Sequence, residues 1–208
     1  LKHRPNFQPG TQYEYSNTNT LLLGRVIRKV TTRPVGPTLT TNIFRPLKLA
    51  STDYLYGTRI PGPRVQGYQG FENGRPAALD VNFTSLGASG AMSSTAADLR
   101  AWGEALVEGT LLPAKLQRQR FVGRRATNGP EYDLYGLGMG MIDGWWGHTG
   151  SGAGSEAGVL HKPGTRRTIV VPLNAANRKD VPAHILRRFI KILETGSEGA
   201  LAGKPICD

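Results

Sequence analysis

Gly144-Trp145-Trp146-Gly147-His148-Thr149-Gly150-Ser151-Gly152 is followed by two short apolar runs, Ser155–His161 and Thr168–Leu173. Between those runs stands Lys162-Pro163-Gly164-Thr165, a turn in which Pro presets φ and Gly supplies positive φ. Three extended segments in succession, the last two a hairpin, predict an antiparallel sheet. Upstream, Tyr135–Ile142 alternates Gly with Tyr, Leu or Met, which predicts one further strand packed closely on a neighbour. Downstream, Pro182 opens a helix whose buried stripe is predicted as Ile185, Leu186, Phe189, Ile190 and Leu193, ending at Gly196.

The first part of the chain has helical periodicity. Asn17 is a candidate N-cap, and Leu22, Leu23, Val26, Ile27 and Val30 follow at helical spacing up to Pro34. A short helix is predicted over Thr38–Phe44, with Pro37 near its start. Residues 50–84 read as a long loop with short extended pieces. Thr95 with Asp98 resembles a capping box, before a helix marked by Leu99, Trp102 and Leu106 and stopped by Gly109. Another helix follows Pro113, through Phe121. Helices, then strands, then one helix give an α+β fold with an antiparallel sheet covered by the last helix. The division is a mainly helical part, 1–134, and a sheet part with the final helix, 135–208, together one incomplete domain.

Composition sets bounds. The 208 residues are 38% hydrophobic and 20% charged, as in a globular protein. The net charge of +11 is +7 over residues 1–52, −2 over 53–114 and +6 over 115–208. The longest basic runs are pairs such as Arg28-Lys29 and Arg166-Arg167, with no Lys/Arg block interleaved with aromatics, so the charge reads as a solvated surface and no nucleic-acid partner is expected. The apolar runs Leu21–Leu23 and Ile169–Val171 are far below the roughly 18 residues of a membrane span. Cys207 alone makes no internal disulfide. His3, His148, His161 and His184 lack metal-ligand spacing, and neither a metal nor a cofactor is expected. Gly152–Ala157 matches G-x-G-x-x-A, but Pro163-Gly164 follows too soon for the helix of a nucleotide site. There is no nucleophile elbow and no phosphate-binding loop.

Two stretches carry chemistry: Tyr13-Glu14-Tyr15-Ser16-Asn17 before the Leu-rich helix, and the 144–152 run. With Ile43–Leu49, Ser89–Leu99, Tyr135-Gly136-Leu137-Gly138 and the 155–173 hairpin, they resemble the serine β-lactamase and penicillin-recognising DD-peptidase superfamily. The similar branch is that of class C β-lactamases, D-alanyl-D-alanine carboxypeptidases, esterases and D-amino-acid amidases. The resemblance implies catalytic roles for Tyr15, His148 and Ser151, and substrate binding by Asn17, Thr149 and Gly150. Tyr15 would exchange protons with nucleophile and leaving group, which its pKa of about 10 permits only beside an ammonium. Asn17 would hold the substrate's acyl side. Thr149 would offer its hydroxyl to a substrate carboxylate, with His148 a donor beside it. Gly150 would let an extended substrate lie on the strand. The Ser151 N–H would join the oxyanion hole, where one donor is worth about 3–4 kcal/mol.

The superfamily's Ser-x-x-Lys is not in this sequence. Three positions before the lysines stand Val26, Arg45, Leu112, Val159, Ala176, Arg188 and Leu201. The resemblance therefore implies that the nucleophile helix and first strands lie in an N-terminal segment or second chain bearing Ser-x-x-Lys. The substrate is then a peptide or small molecule with a D-amino acid or β-lactam, the activity carboxypeptidase-like, and the location secreted, periplasmic or cell-envelope. The isolated chain is expected to be inactive. A non-catalytic shortened relative, binding D-amino-acid peptides or a partner chain, remains the alternative. One structural expectation follows: the edge beside Thr168–Leu173 lacks its natural partner strand, and a complete five-stranded sheet made by this chain alone would refute it.

Overall fold

A computed structural model describes residues 4–73, 75–125, 132–152, 154–176 and 181–196. Cys207 lies outside the described residues.

Helix α1 spans Asn17–Thr31. Its cap is Ser16, not Asn17: Ser16 is extended, with φ −149°, and its hydroxyl accepts the Thr18 N–H. Asn17 is the first helical residue. Helix α2, Val35–Leu39, starts three residues before the predicted Thr38 and runs into one π turn over Thr40–Phe44. The start moves because Pro34, with φ −59°, stands at the N-cap, which leaves Pro37 inside the first turn. The 50–84 region contains β1 (Asp53–Tyr54), β2 (Tyr68–Glu72) and β3 (Arg75–Ala78). β4, Met92–Ser93, pairs with β1, and β2 pairs with β3.

Helix α3, Ala96–Glu108, begins under Thr95, which accepts the Asp98 N–H, and ends at Gly109 in the left-handed region. The reciprocal half of the capping box is absent. The Asp98 carboxylate instead accepts the Ser51 N–H and the Thr52 hydroxyl, both at 2.8 Å, and ties α3 to a distant loop. Helix α4 covers Ala114–Arg120 behind Pro113.

The main sheet has the order β5-β6-β7-β8-β9, every pair antiparallel. β7 is Trp145–Gly152, β8 Ser155–His161 and β9 Thr168–Leu173. The predicted single strand Tyr135–Ile142 is two strands, β5 (Leu134–Tyr135) and β6 (Gly140–Ile142). The chain reverses between them, where the Gly136 N–H reaches the Met139 carbonyl and Gly138 has φ +74°. This hairpin brings the sheet to five strands, against the expected count. By the criterion set above, the five-stranded sheet counts against a missing partner strand beside β9, although among the described residues β8 is the only strand paired with β9.

The sheet is covered on both faces. Helix α5, Val181–Thr195, closes one face over Ile142, Trp145, Leu160, Val171, Ala183, Leu186 and Ile190. Helix α3 closes the other over Leu106, Val107, Met139 and Trp146, a layer the sequence reading did not place. Strand alternation sends adjacent Trp145 and Trp146 to opposite faces. Full burial of each large apolar side chain contributes about 1.5–3 kcal/mol. The α5 stripe is narrower than predicted. Leu186 and Ile190 are buried with Pro182 and Ala183, but Phe189 and Leu193 are 49% and 46% exposed. The seam runs through positions 182, 183, 186 and 190, and the two exposed residues lie on its flank.

Polar ties fix the layers. Fully buried His161 meets Thr168 Oγ1 at 2.8 Å and Glu108 Oε1 at 3.0 Å, and the same Glu108 oxygen accepts the Gly164 N–H. Arg187 on α5 donates to Asp133 and Asp143, and Asp133 also accepts the Asp143 N–H. Burial pushes the Asp133 carboxyl up, but the bonds from Arg187 and Asp143 outweigh it and hold the group below its ordinary range.

Candidate active site

The first half of β7 is paired on both sides: Trp145–Gly147 with β6, and Trp146–Gly152 with β8. Beyond Gly147 the β6 side is an open strand edge among the described residues. His148, Thr149, Gly150 and Ser151 lie along this stretch.

Tyrosines gather around its start. The Tyr15 ring lies 6.1 Å from the His148 ring and 6.0 Å, edge-on, from Tyr135. Tyr13 stacks on Tyr135, with ring centroids 4.8 Å apart. Tyr132 lies 5.5 Å from Tyr135 and 5.8 Å from His148. In an extended chain, residues two apart face the same way, which explains why Tyr13 and Tyr15 reach one partner. Asn17, in contrast, stands exposed at the first turn of α1.

Hydrogen bonding fixes the His148 tautomer. Its Nδ1 meets the Thr149 carbonyl, which can only accept, so Nδ1 carries the proton. Burial lowers the His148 pKa, against a smaller opposing effect of the Thr149 carbonyl, and favours the neutral ring. Nε2 then accepts from the Tyr135 hydroxyl at 2.7 Å. Burial raises the pKa of Tyr15, and also those of Tyr13 and Tyr135, where neighbouring tyrosines add to it. At neutral pH Tyr15 is therefore a phenol in this chain, not a base.

Thr149 faces α5 and is buried. Its N–H donates to the Tyr132 oxygen at 2.6 Å, and its hydroxyl lies 2.9 Å from the same oxygen. Because the Thr149 N–H leaves the sheet on the open side, the Ser151 N–H two residues on points off the same edge. The Ser151 hydroxyl is turned to Glu156 Oε1, at 2.8 Å across the ladder. A Cβ on Gly150 would meet nothing within 4 Å, so the strand is bare there.

Tyr15, His148, Thr149, Gly150 and Ser151 thus fall along one edge, and Tyr13, Tyr132 and Tyr135 support it. Tyr13 and Tyr135 stand inside motif stretches, but no sequence signal gives them a role of their own. Tyr132 has no sequence signal, since only folding brings it to Thr149. Among the described residues no group of three His, Cys, Asp or Glu side chains is placed to hold a metal ion. No helix among them is long and apolar enough to cross a membrane.

A family profile described as Beta-lactamase matches residues 1–191. The chain belongs to the beta-lactamase family. This beta-lactamase-family chain is 29% identical over 184 residues to a D-aminopeptidase of Gluconobacter oxydans, covering 81% of the chain and 32% of that protein. A D-aminopeptidase of Cereibacter sphaeroides is 24% identical, with 96% and 38% covered. Among solved structures, a D-stereospecific amidohydrolase from Streptomyces sp. is 34% identical with TM-score 0.72, over 84% of this chain and 54% of that one. The fold also matches D-amino acid amidase from Ochrobactrum anthropi SV3, at TM-score 0.76 and 22% identity, over 91% and 60% of the two chains. The chain therefore spans about a third of the length of these curated relatives and just over half of these solved structures. Its α+β architecture agrees with that family.

Proposed function

We propose that this chain supplies the Tyr-x-Asn and His-Thr-Gly portions of a serine hydrolase site, completed by an N-terminal segment or second chain bearing Ser-x-x-Lys. The completed site acts through an acyl-enzyme on D-amino-acid peptides, amides, esters or β-lactams. The observation that carries this is the approach of Tyr15 to His148 at the head of an open strand edge, with the Ser151 N–H directed off that edge. The serine oxygen attacks the substrate carbonyl, and its proton passes to the Lys–Tyr15 pair. The Ser151 N–H stabilises the oxyanion. The C–N or C–O bond then breaks, and the leaving group takes the proton from Tyr15. Water repeats the sequence on the ester and frees the serine. Tyr15 needs the lysine, since burial alone favours its phenol form. We place the activity in a secreted or cell-envelope setting, as the resemblance implies.

The relatives' names point to D-configured substrates. The test is hydrolysis of D-phenylalanine amide and L-phenylalanine amide by the protein completed with the Ser-x-x-Lys segment. The D-form is expected to be favoured at least about tenfold in kcat/KM. Equal rates, or preference for the L-form, would overturn the proposal.

A further inference from the structure

On the acyl-enzyme reading above, which this inference deepens, Thr149 and His148 are the groups that would receive a substrate carboxylate beside the scissile bond. Neither is presented to one. The Thr149 side chain faces α5, is 8% exposed and has its hydroxyl against the Tyr132 oxygen. The Thr149 N–H donates to that same oxygen, and the Thr149 carbonyl is met by His148 Nδ1. The other His148 nitrogen is taken by Tyr135. Both outward backbone groups of Thr149 are thereby partnered, so the open pairing positions of the edge begin at Ser151.

Tyr132 is well held for this role. It is 5% exposed and packed in the α5-side core with Ile142 and Trp145, so its hydroxyl does not swing aside freely. A carboxylate at this end of the cleft would be desolvated beside a neutral ring and an occupied hydroxyl, without the charge-assisted donors such a group requires. An uncharged amide loses nothing comparable.

We propose that Tyr132 is a specificity-determining residue that closes the Thr149 end of the cleft to substrate carboxylates, so that the site takes D-amino-acid derivatives with uncharged leaving groups. A carboxypeptidase-like preference is the opposite outcome.

The test uses a matched pair, D-alanyl-D-alanine and D-alanyl-D-alanine amide, which differ at the terminal carboxylate. The completed protein is expected to hydrolyse the amide with kcat/KM at least about tenfold higher. Tyr132→Phe keeps the ring and releases the Thr149 hydroxyl and N–H, so the ratio is expected to fall toward one. Equal rates in the wild type, or an unchanged ratio in the variant, would overturn the proposal. Hydrogen exchange of the Thr149 amide in the 208-residue chain reads the same contact without turnover. Slow exchange that accelerates in Tyr132→Phe supports it, and fast exchange in the wild type overturns it. Should neither dipeptide be hydrolysed, D-phenylalanine amide decides the catalytic proposal, and the exchange measurement still decides the role of Tyr132.

Discussion

Replacing Tyr15 by Phe in the completed protein lowers kcat/KM for a D-amino-acid amide by about 10²–10⁴-fold, the range of a lost general acid–base group. The change deletes one hydroxyl from a half-buried ring and leaves its packing on Tyr135 and His148. Fold stability should therefore hardly move, which a thermal melt of the variant checks. The loss should fall mainly on kcat, since Tyr15 acts on protons in flight rather than on the bound substrate. A loss confined to KM would make Tyr15 a binding residue instead. A variant as active as the wild type would remove it from the mechanism.

Much of this arrangement was legible in the sequence because its signals are local. The 155–173 hairpin is written in Pro163-Gly164, and the helix ends in Gly109 and Gly196. The motif stretches holding Tyr15 and His148 are far apart in sequence, and the fold brings their rings to 6.1 Å. What was missed depends on tertiary contact. Ser16 rather than Asn17 caps α1 because both residue types cap well and only the backbone angle distinguishes them. Phe189 and Leu193 fit the apolar period of α5, yet the sheet reaches only part of that face. Tyr132 lies 17 residues from Thr149 and meets it only through the β5–β6–β7 meander.

Gly147→Ala should strongly destabilise strand β7. A Cβ there would stand 1.9 Å from the Val159 carbonyl oxygen and 2.9 Å from its carbon. Both atoms belong to the backbone of β8, so no side-chain rotation relieves the clash and the ladder must separate. The expected cost is about 3 kcal/mol or more, at the upper end for overpacking, or a fall of roughly 6–12 °C in Tm. Gly150→Ala is the control three residues on. Its Cβ meets nothing within 4 Å, so stability should stay within about 0.5 kcal/mol, while the methyl group on the substrate edge raises KM. Urea unfolding of the two variants separates these effects. A Gly147→Ala protein as stable as the wild type would contradict the close β7–β8 approach.

The central claim is that this chain holds two catalytic motifs and that the third comes from a segment bearing Ser-x-x-Lys. Covalent labelling by a serine-directed probe without a carboxylate, a fluorescent fluorophosphonate, tests it most directly. One adduct per molecule is predicted on the completed protein, at the serine of that segment, and none on the 208-residue chain alone. An adduct on the 208-residue chain alone would contradict the account.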